Sequence, residues 1–165
     1  MAPAHPQLAS WFQAEHVGLY RLALLLTGQP TLAEDLVQDT FVRLSLSGAR
    51  PDHEGIGSYA RRTLVNLHRS RLRRWYRERR ALERVAGRTP SHVSAPTEPT
   101  DPALLRAVGT LPPMQRAVVA LRYLEDRSEA DTASILGIAP GTVKSHTHRA
   151  LAALRSALAD EAGRG

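Results

Sequence analysis

Residues 61–80 concentrate cationic side chains. Nine arginines (61, 62, 69, 71, 73, 74, 77, 79 and 80) stand against one acid, Glu78. Two large aromatics, Trp75 and Tyr76, sit inside the run. A basic excess of this density suits a polyanion, either nucleic acid or an anionic membrane surface. On a helix, Arg62, Asn66, Arg69, Arg73 and Arg77 recur at spacings that share one face. That ridge would run about 22 Å, at about 1.5 Å per residue. Duplex DNA offers phosphates along such a length. Asn66 can read a base edge. The aromatics leave two readings open. Trp75 either stacks on an unpaired base, worth about 1–3 kcal/mol, or packs into its own core.

A second constellation lies in "SEADTASILGIAPGTVKSHTHRAL", residues 128–151. Ser128 and Asp131 form a capping-box pattern. Ala133 permits close helix approach, and Gly137 supplies a turn with positive φ. Leu136, Ile138 and Val143 would close a small core. This is a helix-turn-helix pattern. Thr142, Lys144, Ser145, His148 and Arg149 fall on the outward face of its second helix, suited to phosphates and base edges. His146 and His148 diverge on a helix and lack a third ligand nearby, so no metal is expected.

A third group is acidic. Glu34, Asp35, Gln38 and Asp39 lie close together in "TLAEDLVQDTFVRLSL". Such a patch repels DNA. It is either a solvated face or a surface for a protein partner.

The elements that must position these groups are helical. Apolar residues recur with helical period, and strand-like alternation is missing. A first helix is expected over about Leu8–Leu26, ended by Gly28 and Pro30. A capping box at Thr31–Glu34 opens a second, with Leu32, Leu36, Val37, Phe41 and Leu44 inward. A third covers about Ile56–Arg80, with Ile56, Ala60, Leu64 and Leu67 inward. Residues 87–102, "GRTPSHVSAPTEPTDP", are poor in apolar side chains and form a linker. Asp101 caps the next helix, with Pro102 at its first position. "LPPMQRAVVALRYLE" follows, with Met114, Val118, Leu121 and Leu124 on one side. The expected fold class is all-α: two small helical units, residues 8–80 and 103–160, joined by the linker.

Bulk composition narrows the function. The 165 residues carry 22 basic and 16 acidic side chains, a net charge of +6. Lys144 is the one lysine. There is no cysteine, which excludes disulfides, thiolate zinc sites and cysteine nucleophiles. The N-terminal "MAPAHPQLAS" lacks a secretory pattern, and the apolar run "LALLLTG" is too short to span a bilayer. The expectation is a cytoplasmic protein without membrane insertion or cofactor. No carboxylate pair, phosphate loop or nucleophile–base set marks an enzyme.

The order of "AEDLVQDTFVRL", "SYARRTLVNLHRSRLRRWYR" and "LPPMQRAVVALRYLEDRSEADTASILGIAPGTVKSHTHRALAALR" resembles the extracytoplasmic-function sigma factors of bacterial RNA polymerase, closest to an actinobacterial-type group. The resemblance covers residues 12–158. It implies a sigma factor of the sigma-70 family that directs core polymerase to promoters. Asp35, Gln38, Asp39 and Phe41, with neighbouring Glu34, would dock on the β′ clamp. Arg62, Asn66, Arg69, Arg73, Arg74 and Trp75 would engage and melt the −10 element. Thr142, Lys144, Ser145, His148 and Arg149 would read the −35 element. The polymerase β flap, promoter DNA and an anti-sigma factor are the implied partners. Ala139 and Thr147 depart from the family's more usual cap and apolar residue. "GTVKSH" also resembles the output domain of LuxR-type regulators, but residues 1–86 lack the strand–helix alternation of a receiver.

Overall fold

A computed structural model describes residues 6–50, 55–83 and 101–163. Seven α-helices and one π turn form among the described residues, which contain no strand. The first unit holds α1 (Pro6–Thr27), α2 (Pro30–Leu46) and α3 (Ile56–Glu83). The second holds α4 (Pro102–Thr110), α5 (Pro113–Val119), the π turn (Ala120–Leu124), α6 (Glu129–Leu136) and α7 (Pro140–Ala162). The expected linker lies outside the described residues, apart from Asp101 and Pro102. No described helix is long and apolar enough to cross a membrane.

The core follows from the apolar stripes. Leu8, Phe12, Leu19, Leu22 and Leu26 of α1 meet Leu36, Val37 and Leu44 of α2 and Ala60, Leu64, Val65 and Leu67 of α3. One cluster continues into the second unit through Val118, Leu121, Ile135, Leu136 and Val143. A smaller cluster joins Val108 and Leu111 to Ala150 and Leu154 of α7, with Leu25 of α1 packed against it. The two units therefore share buried apolar surface, the dominant source of stability in so small a chain.

Two local expectations are corrected. Helix α2 does not open on a Thr31 capping box. It starts at Pro30, with Gln29 in the cap position and no side-chain cap. Proline lacks the N–H that a first helical residue leaves unsatisfied and already holds helical φ, so it displaces the start. Leu32 lies at the edge of the buried stripe and is exposed, whereas Ala33 and Thr40 lie within it and are buried. The second correction concerns Leu124. A π turn replaces the last α-turn, closed by Glu125 N–H donating to the Ala120 carbonyl at 3.2 Å. The wider turn rotates the chain. Leu124 becomes 42% exposed, while the Glu125 side chain, 6% exposed, swings inward.

The helix-turn-helix forms as its residues dictate. Ser128 Oγ accepts from the Asp131 N–H at 3.0 Å and donates to Asp131 Oδ2 at 2.8 Å. Gly137 adopts φ 67°, and the Ile138 N–H donates to the Ala133 carbonyl at 3.1 Å. A Cβ in this left-handed conformation costs about 1–2 kcal/mol. Gly137→Ala is expected to lower stability by about that amount, measured by urea denaturation followed by circular dichroism.

Candidate nucleic-acid interface

The basic helix α3 divides its arginines among several tasks. Arg61 is buried, at 5% exposure. Its guanidinium pairs with Glu15 of α1 at 3.1 Å and with Glu125 beyond the π turn, and donates to the Gly57 carbonyl at 3.1 Å. Two glycines lie against it. A Cβ at Gly18 would stand 3.4 Å from Nη2, and one at Gly57 3.3 Å from Nη1. Arg71 pairs with Asp39, and Arg74 with Glu78 at 2.8 Å on its own helix. Among the described residues, at least Arg61, Arg71 and Arg74 of the nine are thus matched by carboxylates.

The remaining ridge borders a cleft of about 890 Å³ between α2 and α3. Arg62, Asn66 and Arg73 line it, opposite Asp39, Val42 and Leu46. Tyr59, which sequence reasoning missed, stands half-exposed at its edge. Only its aromatic character and its place one turn before Thr63 could have marked it. Arg69 is half-buried and does not line this cleft; Arg77 lies with Arg73, Tyr76 and Arg80 in a shallow groove beyond it. Arg62 is engaged across the unit boundary, donating to the Ser134 carbonyl and, at 3.3 Å, to Ser134 Oγ in α6.

Trp75 is 44% exposed and does not sit in the core. Its ring meets Tyr76 edge-on at 5.0 Å, and the Arg79 guanidinium lies 5.0 Å from its centroid. It faces a different cavity from Asn66 and Arg73. That cavity, about 720 Å³, lies where the units meet, between His68, Leu72, Trp75 and Tyr76 on one side and Leu111, Pro112 and Arg116 on the other. Arg116 donates to the Leu26 carbonyl at 2.8 Å and to Gly109 and Leu111 carbonyls at 2.7 and 3.1 Å.

The acidic group on α2 is exposed, but its members face different neighbours. Glu34 approaches His16 of α1 at 3.6 Å, and Gln38 lines a shallow groove with Phe12, His16 and Phe41. Phe41 is half-buried, 4.6 Å from the Phe12 ring. Asp35 is solvent-exposed between them, and Asp39 turns toward α3.

On α7, Thr142, Lys144, Ser145, His148 and Arg149 are all exposed. They neighbour one another at i, i+3 and i+4 spacings near the helix start. Ala139 caps without a side-chain bond, and its carbonyl takes the Thr142 and Val143 N–H groups at 2.9 and 3.1 Å. Thr147 fits the apolar stripe because its hydroxyl donates to the Val143 carbonyl at 2.9 Å. Among the described residues no three His, Cys, Asp or Glu side chains cluster for a metal.

Comparison with known proteins agrees with this layout. Residues 11–80 match the family described as sigma-70 region 2, and residues 102–154 match sigma-70 region 4. The RNA polymerase sigma-E factor of Streptomyces avermitilis is 38% identical over 144 residues, covering 85% of this chain and 78% of the relative. The ECF RNA polymerase sigma factor SigL of Mycobacterium tuberculosis is 34% identical over 165 residues, covering 95% and 92%. Among solved structures, the sigma factor RpoE in complex with the anti-sigma factor NepR, from Bartonella quintana, superposes with a TM-score of 0.71 at 27% identity, covering 88% and 94%. CnrH in complex with the cytosolic domain of CnrY gives 0.63 at 26%, covering 93% and 88%.

Burial at the unit junction also makes a pH prediction. His68 is held down at about 4 from 6.5, first by burial, then by Arg116 and Arg71 nearby. Between those values the unfolded chain binds a proton that the folded chain does not. Stability therefore falls as pH drops from about 6.5 toward 4 and is unaffected above that window, by up to roughly 3 kcal/mol in total. His68→Gln is expected to remove this slope in urea denaturation across that range.

Proposed function

Since the chain belongs to the extracytoplasmic-function RNA polymerase sigma factors of the sigma-70 family, which direct polymerase to specific promoters, we propose that its three exposed polar surfaces divide that task. The outer face of α2, with Glu34, Asp35 and Gln38 beside Phe41, docks on the β′ clamp of core polymerase, and Asp39 borders that surface where α2 meets the α2–α3 cleft. The cleft between α2 and α3 takes the −10 element. There Asn66 reads a base, Arg62 and Arg73 hold phosphates, and Arg69, Arg74 and Trp75 extend the contact along the helix. On α7, Thr142, Lys144, Ser145, His148 and Arg149 read the −35 element in the major groove. The chain supplies recognition, and the polymerase supplies catalysis.

The observation that carries this reading is the separation of charge between faces. The exposed acids of α2 lie on a surface distinct from the cationic start of α7, so a protein partner and DNA can be held at once. The second unit docks on the β flap by the same logic of protein contacts away from the DNA face. An anti-sigma partner is also proposed, because RpoE was solved bound to one.

Run-off transcription with core polymerase tests the whole assignment. The chain alone is expected to confer promoter-specific initiation. Tight binding to palindromic DNA without core, and no initiation with it, would overturn the reading. Asp35→Arg separates the docking role, and it is cleaner than a change at Asp39, which Arg71 already holds. It is expected to abolish co-purification with core while leaving helicity unchanged. Lys144→Ala and Arg149→Ala are each expected to weaken use of −35 promoters by about 1–3 kcal/mol. An equal loss on a template without a −35 element would reject their role.

A further inference from the structure

Where the two units meet, side chains leave a cavity of about 720 Å³ between them. Small-molecule sites run from roughly 300 to 1,000 Å³. The walls are mostly apolar. Leu32, Leu36 and Leu72 form one part, and Trp75, Tyr76 and Pro112 present flat surfaces. Leu32, Trp75 and Tyr76 are all exposed. Single exposed apolar side chains are ordinary, but several that line one concavity mark a place where something binds. Apart from Trp75, none of the lining residues belongs to the surfaces assigned above to polymerase and DNA, so the cavity stands apart from that reading.

Its charged groups have one sign. Arg71, Arg116 and His68 are among the described lining residues, and none of those is acidic. Arg71 is matched by Asp39. Arg116 has no such match among the described residues. It donates to the carbonyls of Leu26, Gly109 and Leu111, and its Nε–H is enclosed without an acceptor. Burial holds Arg116 below its ordinary pKa, with Tyr76 opposing the shift. A cation drawn out of water without a counter-charge is costly. His68 stands beside it as a neutral ring, its pKa held at about 4 by burial, Arg116 and Arg71. A neutral imidazole keeps one N–H to donate.

We propose that this cavity is a binding site for a small aromatic carboxylate, its ring seated against Trp75, Tyr76 and Pro112 and its acid group neutralising Arg116, with His68 as a further donor. The flat walls favour a ring over a flexible chain, because stacked and edge-on aromatic contacts add to simple burial. The guanidinium favours the acid over an uncharged group of the same shape, because a hydrogen bond between charged partners is the stronger kind. One unmatched cation calls for one negative charge. A monocarboxylate meets that condition, and a phosphate monoester, with nearly two charges, exceeds it. The walls come from α2, α3 and the turn between α4 and α5, so the ligand touches both units at once.

Isothermal titration calorimetry of the full chain with 2-naphthoate tests the site, with 2-naphthamide as the uncharged counterpart of nearly equal shape. One saturable site per chain is expected for the acid, and binding of the amide is expected to be at least about tenfold weaker. Arg116→Gln is expected to weaken 2-naphthoate by a similar factor. Leu32→Glu, at an exposed position, sets an acid on the cavity wall. It is expected to weaken 2-naphthoate at least about tenfold with helicity unchanged, and it decides the matter should Arg116→Gln not fold. Arg77→Gln combined with Arg80→Gln removes two cations from the groove outside the cavity and is expected to leave binding as it was. No saturable binding of 2-naphthoate, equal affinity for acid and amide, or full affinity in folded Leu32→Glu would overturn the proposal. So would a tenfold loss in the Arg77, Arg80 double variant, which would put the acid on the basic ridge instead.

Discussion

A guanidinium enclosed between two helical units constrains much of what surrounds it. Removing Arg61 from water costs several kcal/mol unless the charge is neutralised in place. One carboxylate comes from α1 and one from beyond the π turn. The dependence is mutual, because Glu125 is as buried as its partner. The π turn just before Glu125 serves this pairing, and Gly57 and Gly18 lie against the guanidinium. Replacing the whole triad by apolar residues could leave the fold equally stable.

The same helix shows how a basic segment is apportioned. Arg61 stabilises, Arg71 and Arg74 are matched by Asp39 and Glu78, and Arg73 and Arg77 face solvent. A count of charges along the sequence overstates the field that DNA would meet. The exposed pairs contribute little to stability. Their effect is to localise positive potential along the edge of the α2–α3 cleft rather than around the entire helix. A localised field favours one orientation of a bound strand over others.

Much of this architecture was legible in the sequence because it rests on short-range rules. Gly28 and Gly137 stop helices at positive φ, Ser128 and Asp101 cap them, and the buried stripes of α1 and α3 follow helical period. The outward set on α7 was likewise a matter of spacing from Val143 and Ala150. The misses share a different character. Leu32 was counted inward although helical period sets it at the edge of the Ala33–Leu36–Val37–Thr40–Leu44 stripe, and Leu124 was turned out by a wider turn that shifted the register. Arg61 was legible as a charge but not as a buried one. Its partners lie 46 and 64 residues away in sequence, and no periodicity within a helix encodes such a pairing.

Trp75 illustrates why the face of a residue matters more than its distance in sequence from its neighbours. It lies two residues from Arg73, yet the helix turns it toward the cavity where the units meet, whereas Arg73 borders the cleft. Its ring is braced by Tyr76 and Arg79 and faces Leu111 and Pro112 of the other unit. Of the two readings that composition left open, burial in the first unit's own core is therefore ruled out, because the ring stands half-exposed at the rim of the cavity where the units meet.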